Sequence, residues 1–177
     1  MGAQPYKSRK KSGFGIVSRN IAYGRYNITN TSAPNNSVTG DFLSISGYNT
    51  DNTTGNNKLI QRLGSDELKE KEIVPDVVNG SREILEPKPE EVDGDPAQDS
   101  ERKVLESIAS QMETEWNEQF DLVGVYPHYT GDVEINSEML PCKSCKEVIK
   151  EQFKKMFPNI NLEVKYGVIL KPPEKSN

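Results

Sequence analysis

Residues 131–164, GDVEINSEMLPCKSCKEVIKEQFKKMFPNINLEV, constrain the fold more than any other part of this chain. In GDVEINSE (131–138), Val133 and Ile135 alternate with polar neighbours, the period of a strand packed on one face. Pro141 opens the next run, and proline suits the first turn of a helix, where its missing N–H costs nothing. Val148, Ile149, Phe153 and Phe157 then recur as one buried helical face. Pro158 stops that helix, and NLEVKYGVIL (161–170) reads as a strand again. Strand, helix and strand in this order imply a parallel pair joined by a right-handed crossover.

The same segment holds both cysteines of a 177-residue chain, Cys142 and Cys145, in PCKSC (141–145). A structural zinc site needs four ligands, usually Cys or His. With two cysteines and one histidine, His128, a four-ligand site of those types alone is impossible within one molecule. A thioredoxin-like redox pair remains open, because it too sits where a strand meets a helix. So does a catalytic zinc with three protein ligands and one position kept for water. That last arrangement requires a third ligand elsewhere and a carboxylate beside it to move protons.

Upstream, DSERKVLESIASQMETEW (99–116) places Val104, Leu105, Ile108, Met112 and Trp116 at helical spacing, an amphipathic helix with one buried stripe. It opens on Asp99-Ser100-Glu101. Aspartate is a legitimate zinc ligand through a carboxylate oxygen, and Glu101 stands two places on, where a proton-moving carboxylate belongs. His128 has Thr130 two places on and is not near a helix start. Asp99 and Glu101 equally suit a helix N-terminus, where negative charge meets the dipole. Asp95-Pro96-Ala97-Gln98 would itself serve as a capping box, leaving DSE one turn inside the helix. The pairing with PCKSC on a following helix favours the ligand reading, because the two motifs then stand in the order one mechanism needs.

The remainder is organised loosely. Residues 1–19 read as a flexible basic arm and 20–177 as one domain. NIAYGRYNI (20–28) and DFLSISGY (41–48) have strand character and form a hairpin with a long connection, since 29–40 is Asn, Thr, Ser, Pro and Gly. The acidic, proline-containing segment 64–98 reads mostly as irregular surface chain, with a short element inside SREILEP. Residues 1–40 carry six basic groups and no acidic one, and residues 143–177 carry eight lysines against four glutamates, so the acidic excess behind the net charge of −5 lies between them. Basic ends suit nucleic acid, or a solubilising tail and a solvated helix face. No apolar run is long enough to span a bilayer. MGAQPYKSRKK lacks the apolar stretch of a secretory signal, and Tyr6 stands where myristoylation needs Ser or Thr.

Taken together, NIAYGRYNI, FLSISGY, DSERKVLESIA and the 131–164 block resemble the bacterial toxin-deaminase families of the cytidine deaminase superfamily, in the branch where Asp-x-Glu replaces His-x-Glu. The resemblance implies an α/β fold, a cytidine deaminase-like three-layer α/β/α sandwich around a central mixed sheet. It implies hydrolytic, zinc-dependent conversion of cytosine to uracil in nucleic acid, single-stranded DNA first and RNA second, by the toxin domain of a secreted bacterial effector. Asp99, Cys142 and Cys145 would hold Zn²⁺ and Glu101 would shuttle protons. Asn20 would contact substrate, although it also reads as a loop residue; Ser137, by its place at the strand end before PCKSC, would contact substrate at the pocket floor or orient a metal ligand, although it also reads as a routine strand end. Three negative ligand charges against two on zinc make the metal a weaker Lewis acid than a histidine-containing site would. The expected partners are nucleic acid and a cognate immunity protein, with no membrane, for a monomer acting in the target-cell cytoplasm. The rivals are a thiol-disulfide oxidoreductase using Cys142 and Cys145, and a deaminase-fold binding module without activity.

If the basic arm recruits nucleic acid, deleting residues 1–11 removes Lys7, Arg9, Lys10 and Lys11. Binding to a single-stranded oligonucleotide is then expected to weaken and its log–log salt slope to flatten by about 3. Fluorescence anisotropy over a salt series reads this; an unchanged slope assigns those residues to solubility alone.

Overall fold

The computed structural model describes residues 20–45, 73–74, 83–86, 100–138 and 146–167. Strands β1 (Ile21–Asn30), β2 (Ser37–Ile45) and β3 (Ile73–Val74) precede helix α1 (Ser100–Trp116). Strand β4 (Tyr129–Ser137), helix α2 (146–156) and strand β5 (Ile160–Tyr166) follow. Helix α2 includes a wide π-helical stretch, Val148–Phe153, and tightens to an α-helical turn at Lys154–Met156. The five strands form one mixed sheet in the order β3-β2-β1-β4-β5. β1 runs antiparallel to both neighbours, while β4 and β5 are parallel with α2 between them, the crossover that the 131–164 pattern implies.

The β1–β2 hairpin is longer than its apolar residues alone suggest. Thr29 pairs with Ser37 and Ile28 with Val38, so only residues 31–36 connect the strands. β-Branched Thr29, Val38 and Thr39 suit a pleated ladder even on a polar face. Asn30 then takes the Ser32 backbone N–H at 2.9 Å to start the turn. Within 64–98, residues 83–86 are neither helix nor strand, but Ile84 and Leu85 are buried, so this part is not surface chain.

Alternation sorts the sheet into two unlike faces. Ala22, Tyr26 and Ile28 of β1, Val133 and Ile135 of β4 and Leu162 of β5 share one apolar cluster with Val104, Ile108 and Met112 of α1 and Val148 and Phe153 of α2. Both helices therefore cover one face. The other face is polar along much of its length: Tyr23 donates to Asp41 at 2.6 Å, Arg25 pairs with Glu134 at 3.3 Å, and Asn161 donates to Asp132 at 3.2 Å. It turns apolar only near one end, where Ile21, Leu43 and Ile45 are buried. Among the described residues no helix lies on that second face, and no helix is long and apolar enough to cross a membrane.

Two glycines are required by this packing. A Cβ on Gly24 would collide with the Val104 side chain, so the missing side chain is what lets α1 settle onto β1. Gly131 sits at φ 125° in β4, where a Cβ would meet the Asn27 carbonyl. Gly24→Ala must displace α1 or force Val104 off its rotamer. A loss of about 1–3 kcal/mol is expected in urea unfolding.

Candidate active site

Four polar residues open α1, and all are buried: Ser100, Glu101, Arg102 and Lys103 are each at most 2 % exposed. Successive residues of a helix point about 100° apart. Burial of four in a row therefore means this helix end is enclosed all round, and each charge needs its own partner.

Lys103 reaches β2, where its Nζ donates to the Ile45 carbonyl at 2.8 Å. Arg102 turns to segment 83–86, donating to the Leu85 carbonyl at 2.7 Å and pairing with Glu83. One turn on, Glu106 accepts the backbone N–H groups of Ile84 and Leu85 at 2.7 and 2.8 Å. Burial pushes the Glu106 carboxyl above the ordinary range, and those N–H bonds and Arg102 pull it part of the way back. From α2, Gln152 grips both backbone groups of Glu86, at 2.8 and 2.6 Å. Segment 83–86 thus ties α1 to α2.

Glu101 points the other way, to the ends of β1 and β4. The ladder aligns Ala22 with Ser137, and the Glu138 N–H bonds the Ile21 carbonyl at 3.0 Å. Asn20, one residue before β1, therefore sits beside Ser137, the last residue of β4. Onto Glu101 Oε1 converge Asn20 Nδ2 at 2.9 Å and Ser137 Oγ at 2.7 Å. Ser100 Oγ donates to Oε2 at 3.1 Å. Asn20 Nδ2 also lies 2.8 Å from Ser100 Oγ and 3.0 Å from Ser137 Oγ.

So three of the residues singled out from the sequence, Asn20, Glu101 and Ser137, meet at one buried point although 117 positions separate the outer two. Asp99, Cys142 and Cys145 lie outside the described residues, and among the described residues no group of three or more His, Cys, Asp or Glu is placed to hold a metal. His128 stands beyond the far end of β4, next to Tyr129, which lies about 27 Å from Ser137 at the usual rise of an extended strand. Its Nε2 is 2.8 Å from Glu118 Oε1, which also accepts the Tyr129 hydroxyl. Lys146, Lys150 and Lys154, four residues apart on α2, are exposed, and Tyr26 packs against Phe42.

Sequence reasoning passed over Ser100, Arg102, Lys103 and Gln152. The available signal was the unbroken polar run at 100–103, but such a run ordinarily marks a solvated helix end. Only the partners supplied by Asn20, Ile45, Leu85 and Ser137 make it a buried one.

A mixed sheet with both helices on one face, and a buried, hydrogen-bonded glutamate in the first turn of α1, define an α/β protein whose site is arranged around a carboxylate. The match to known families is specific: residues 4–167 fit the toxin-deaminase family described as the BURPS668_1122 family of deaminases, and the chain belongs to it. It is thus a deaminase domain of the toxin class, and the chemistry of that class is hydrolytic. No curated protein and no solved structure matches the chain.

Because His128 is remote from Glu101, His128→Ala is expected to leave the metal content of the purified protein unchanged. Loss of its contact with Glu118 should lower stability by about 1 kcal/mol. Elemental analysis and thermal unfolding of the same sample check both.

Proposed function

We propose that this domain is a zinc-dependent deaminase converting cytosine to uracil in nucleic acid, single-stranded DNA foremost, and that Glu101 moves its protons. The observation that carries the reading is the Glu101 carboxylate itself, buried in the first turn of α1 and held by Asn20, Ser100 and Ser137. A glutamate engaged by hydrogen bonds in this way suits a base better than a metal ligand.

Asp99, two positions before Glu101, and Cys142 and Cys145, five and eight after Ser137, are the residues that would hold zinc. A carboxylate and two thiolates fall within the zinc donor repertoire. When bound, the metal supplies a Lewis acid that makes water nucleophilic near neutral pH.

The protons are the work of this chain. As the water oxygen bonds C4 of the base, Glu101 takes its proton and passes it to ring N3. Glu101 then carries the remaining hydroxyl proton to the amino group. The C4–N bond breaks, the C4 carbonyl forms and ammonia leaves, so cytosine and water give uracil and ammonia. Burial of Ile21, Leu43 and Ile45 on the second sheet face supports a further layer there, as a three-layer sandwich requires.

We place residues 1–19 as a basic arm outside the domain 20–177. The biological setting is that of its class: delivery from a bacterial cell as the toxin part of a larger effector, action in the target-cell cytoplasm, and neutralisation in the producer by an immunity protein.

One zinc per chain is expected in protein purified without chelators. Glu101→Ala should abolish C-to-U conversion in single-stranded DNA and RNA oligonucleotides while zinc stays bound. Asp99→Ala should lose both zinc and activity, and Asp99→His, which restores His-x-Glu, should keep zinc and part of the activity. Kinetics and elemental analysis on the same samples decide; a fully active Glu101→Ala protein overturns the assignment.

A further inference from the structure

We infer that Asn20 and Ser137 are positioning residues for Glu101, acting on its carboxylate and only through it on the base. The inference rests on the proposed deamination and changes the role that the sequence assigns to these two residues, from gripping substrate to aiming the proton carrier.

The hydrogen-bond inventory carries it. A carboxylate oxygen offers two in-plane lone pairs. At Glu101 Oε1 the Ser137 hydroxyl at 2.7 Å and the Asn20 amide at 2.9 Å occupy both. The Ser137 proton has one alternative acceptor, Asn20 Oδ1 at 3.2 Å, but the shorter bond to a charged group prevails. The second Asn20 amide hydrogen goes to Ser100 Oγ at 2.8 Å. That contact leaves the Ser100 hydroxyl hydrogen for Oε2, at 3.1 Å. Two side-chain donors thus fall on Oε1 and one on Oε2, and Oε1 is the anchored oxygen. The proton exchanged with water and base goes on and off Oε2.

Three chain segments meet in this anchor: the residue before β1, the last residue of β4 and the first turn of α1. A glutamate on an open helix end would sample several rotamers. Here two bonds on one oxygen hold the other in a single place, and a proton carrier displaced by an ångström loses much of its effectiveness. Loss of Asn20 or Ser137 should therefore slow the chemical step without weakening substrate binding.

The test uses the full chain, a single-stranded DNA oligonucleotide and its RNA counterpart, with kcat and KM measured separately. Asn20→Ala and Ser137→Val are expected to lower kcat about tenfold to a hundredfold, with KM changed by less than about twofold. Ser137→Thr, of the same shape as the valine variant but with the hydroxyl, should restore most of the lost kcat. Because Thr and Val differ only in the donor, a folding defect common to both does not mimic this result. A raised KM with kcat intact makes both residues substrate contacts and overturns the inference, as does equal kcat in Ser137→Thr and Ser137→Val. In either case a wild type that deaminates, with Glu101→Ala inactive, leaves the proposed function standing. A wild type silent on DNA, RNA and free cytidine overturns that function, and this inference with it.

Discussion

The Glu101 carboxylate must be satisfied where it lies, and much of the site's geometry follows from that requirement. Taking a carboxylate out of water costs several kcal/mol unless hydrogen-bond donors replace the solvent. Here side-chain donors come from a residue ahead of β1, from the end of β4 and from Ser100 on the helix itself. A helix pinned by its first turn to the ends of two adjacent strands has little freedom to slide. Gly24 permits that placement, since any larger residue would displace α1 or force Val104 off its rotamer. The register of β1 on β4 matters equally: a one-residue slip would turn Ser137 to the opposite face and leave the carboxylate short of a donor.

A second polar tie governs the relation between the two helices that carry the sequence motifs. Residues 83–86 run between α1 and α2, and their backbone is bonded by Glu106 on one side and Gln152 on the other. Side chains here do for an irregular segment what a neighbouring strand would do for an extended one. Ile84 and Leu85 can enter the core because their N–H groups are met. Arg102, its side chain wholly buried, is balanced by Glu83 and the Leu85 carbonyl. Removing either side of such an arrangement leaves a buried polar group without its partner, which costs more than the bond itself contributes.

The strand–helix–strand order of 131–164 was legible because apolar period, proline placement and turn residues all point one way. So was the α1 stripe, and Val104, Leu105, Ile108 and Met112 are fully buried. Strand ends were misjudged at Thr29 and Ser37, where pairing across a ladder outweighs the polarity of the residues. Glu101 was singled out by its spacing from Asp99, Asn20 by resemblance, and Ser137 by its place at the strand end before PCKSC. Their convergence on one oxygen was not readable, because it depends on β-sheet register and on contacts between residues far apart in the chain. For the same reason segment 83–86 looked like surface: nothing local to SREILEP announces that Glu106 and Gln152 will satisfy its backbone.

The described parts of the molecule divide their labour along the strands. At the Asn20 end, hydrogen bonds to buried charge, which contribute little net stability and tolerate few changes, lie beside the buried aliphatic residues Ile21, Leu43 and Ile45. At the other end, Trp116, Phe120, Tyr126, Tyr129 and Phe157 pack ring against ring, with centroids 4.7–5.9 Å apart. Such contacts add to the gain from area burial. Tyr129 shows how dry that end is: burial pushes its phenol far above the ordinary value, and the Glu118 carboxylate that accepts its hydroxyl pushes it further. The aromatic end adds ring packing to the aliphatic burial found at the Asn20 end. A costly buried glutamate at the start of α1 is tolerated because the far ends of the same helix and of the same strand are anchored by rings.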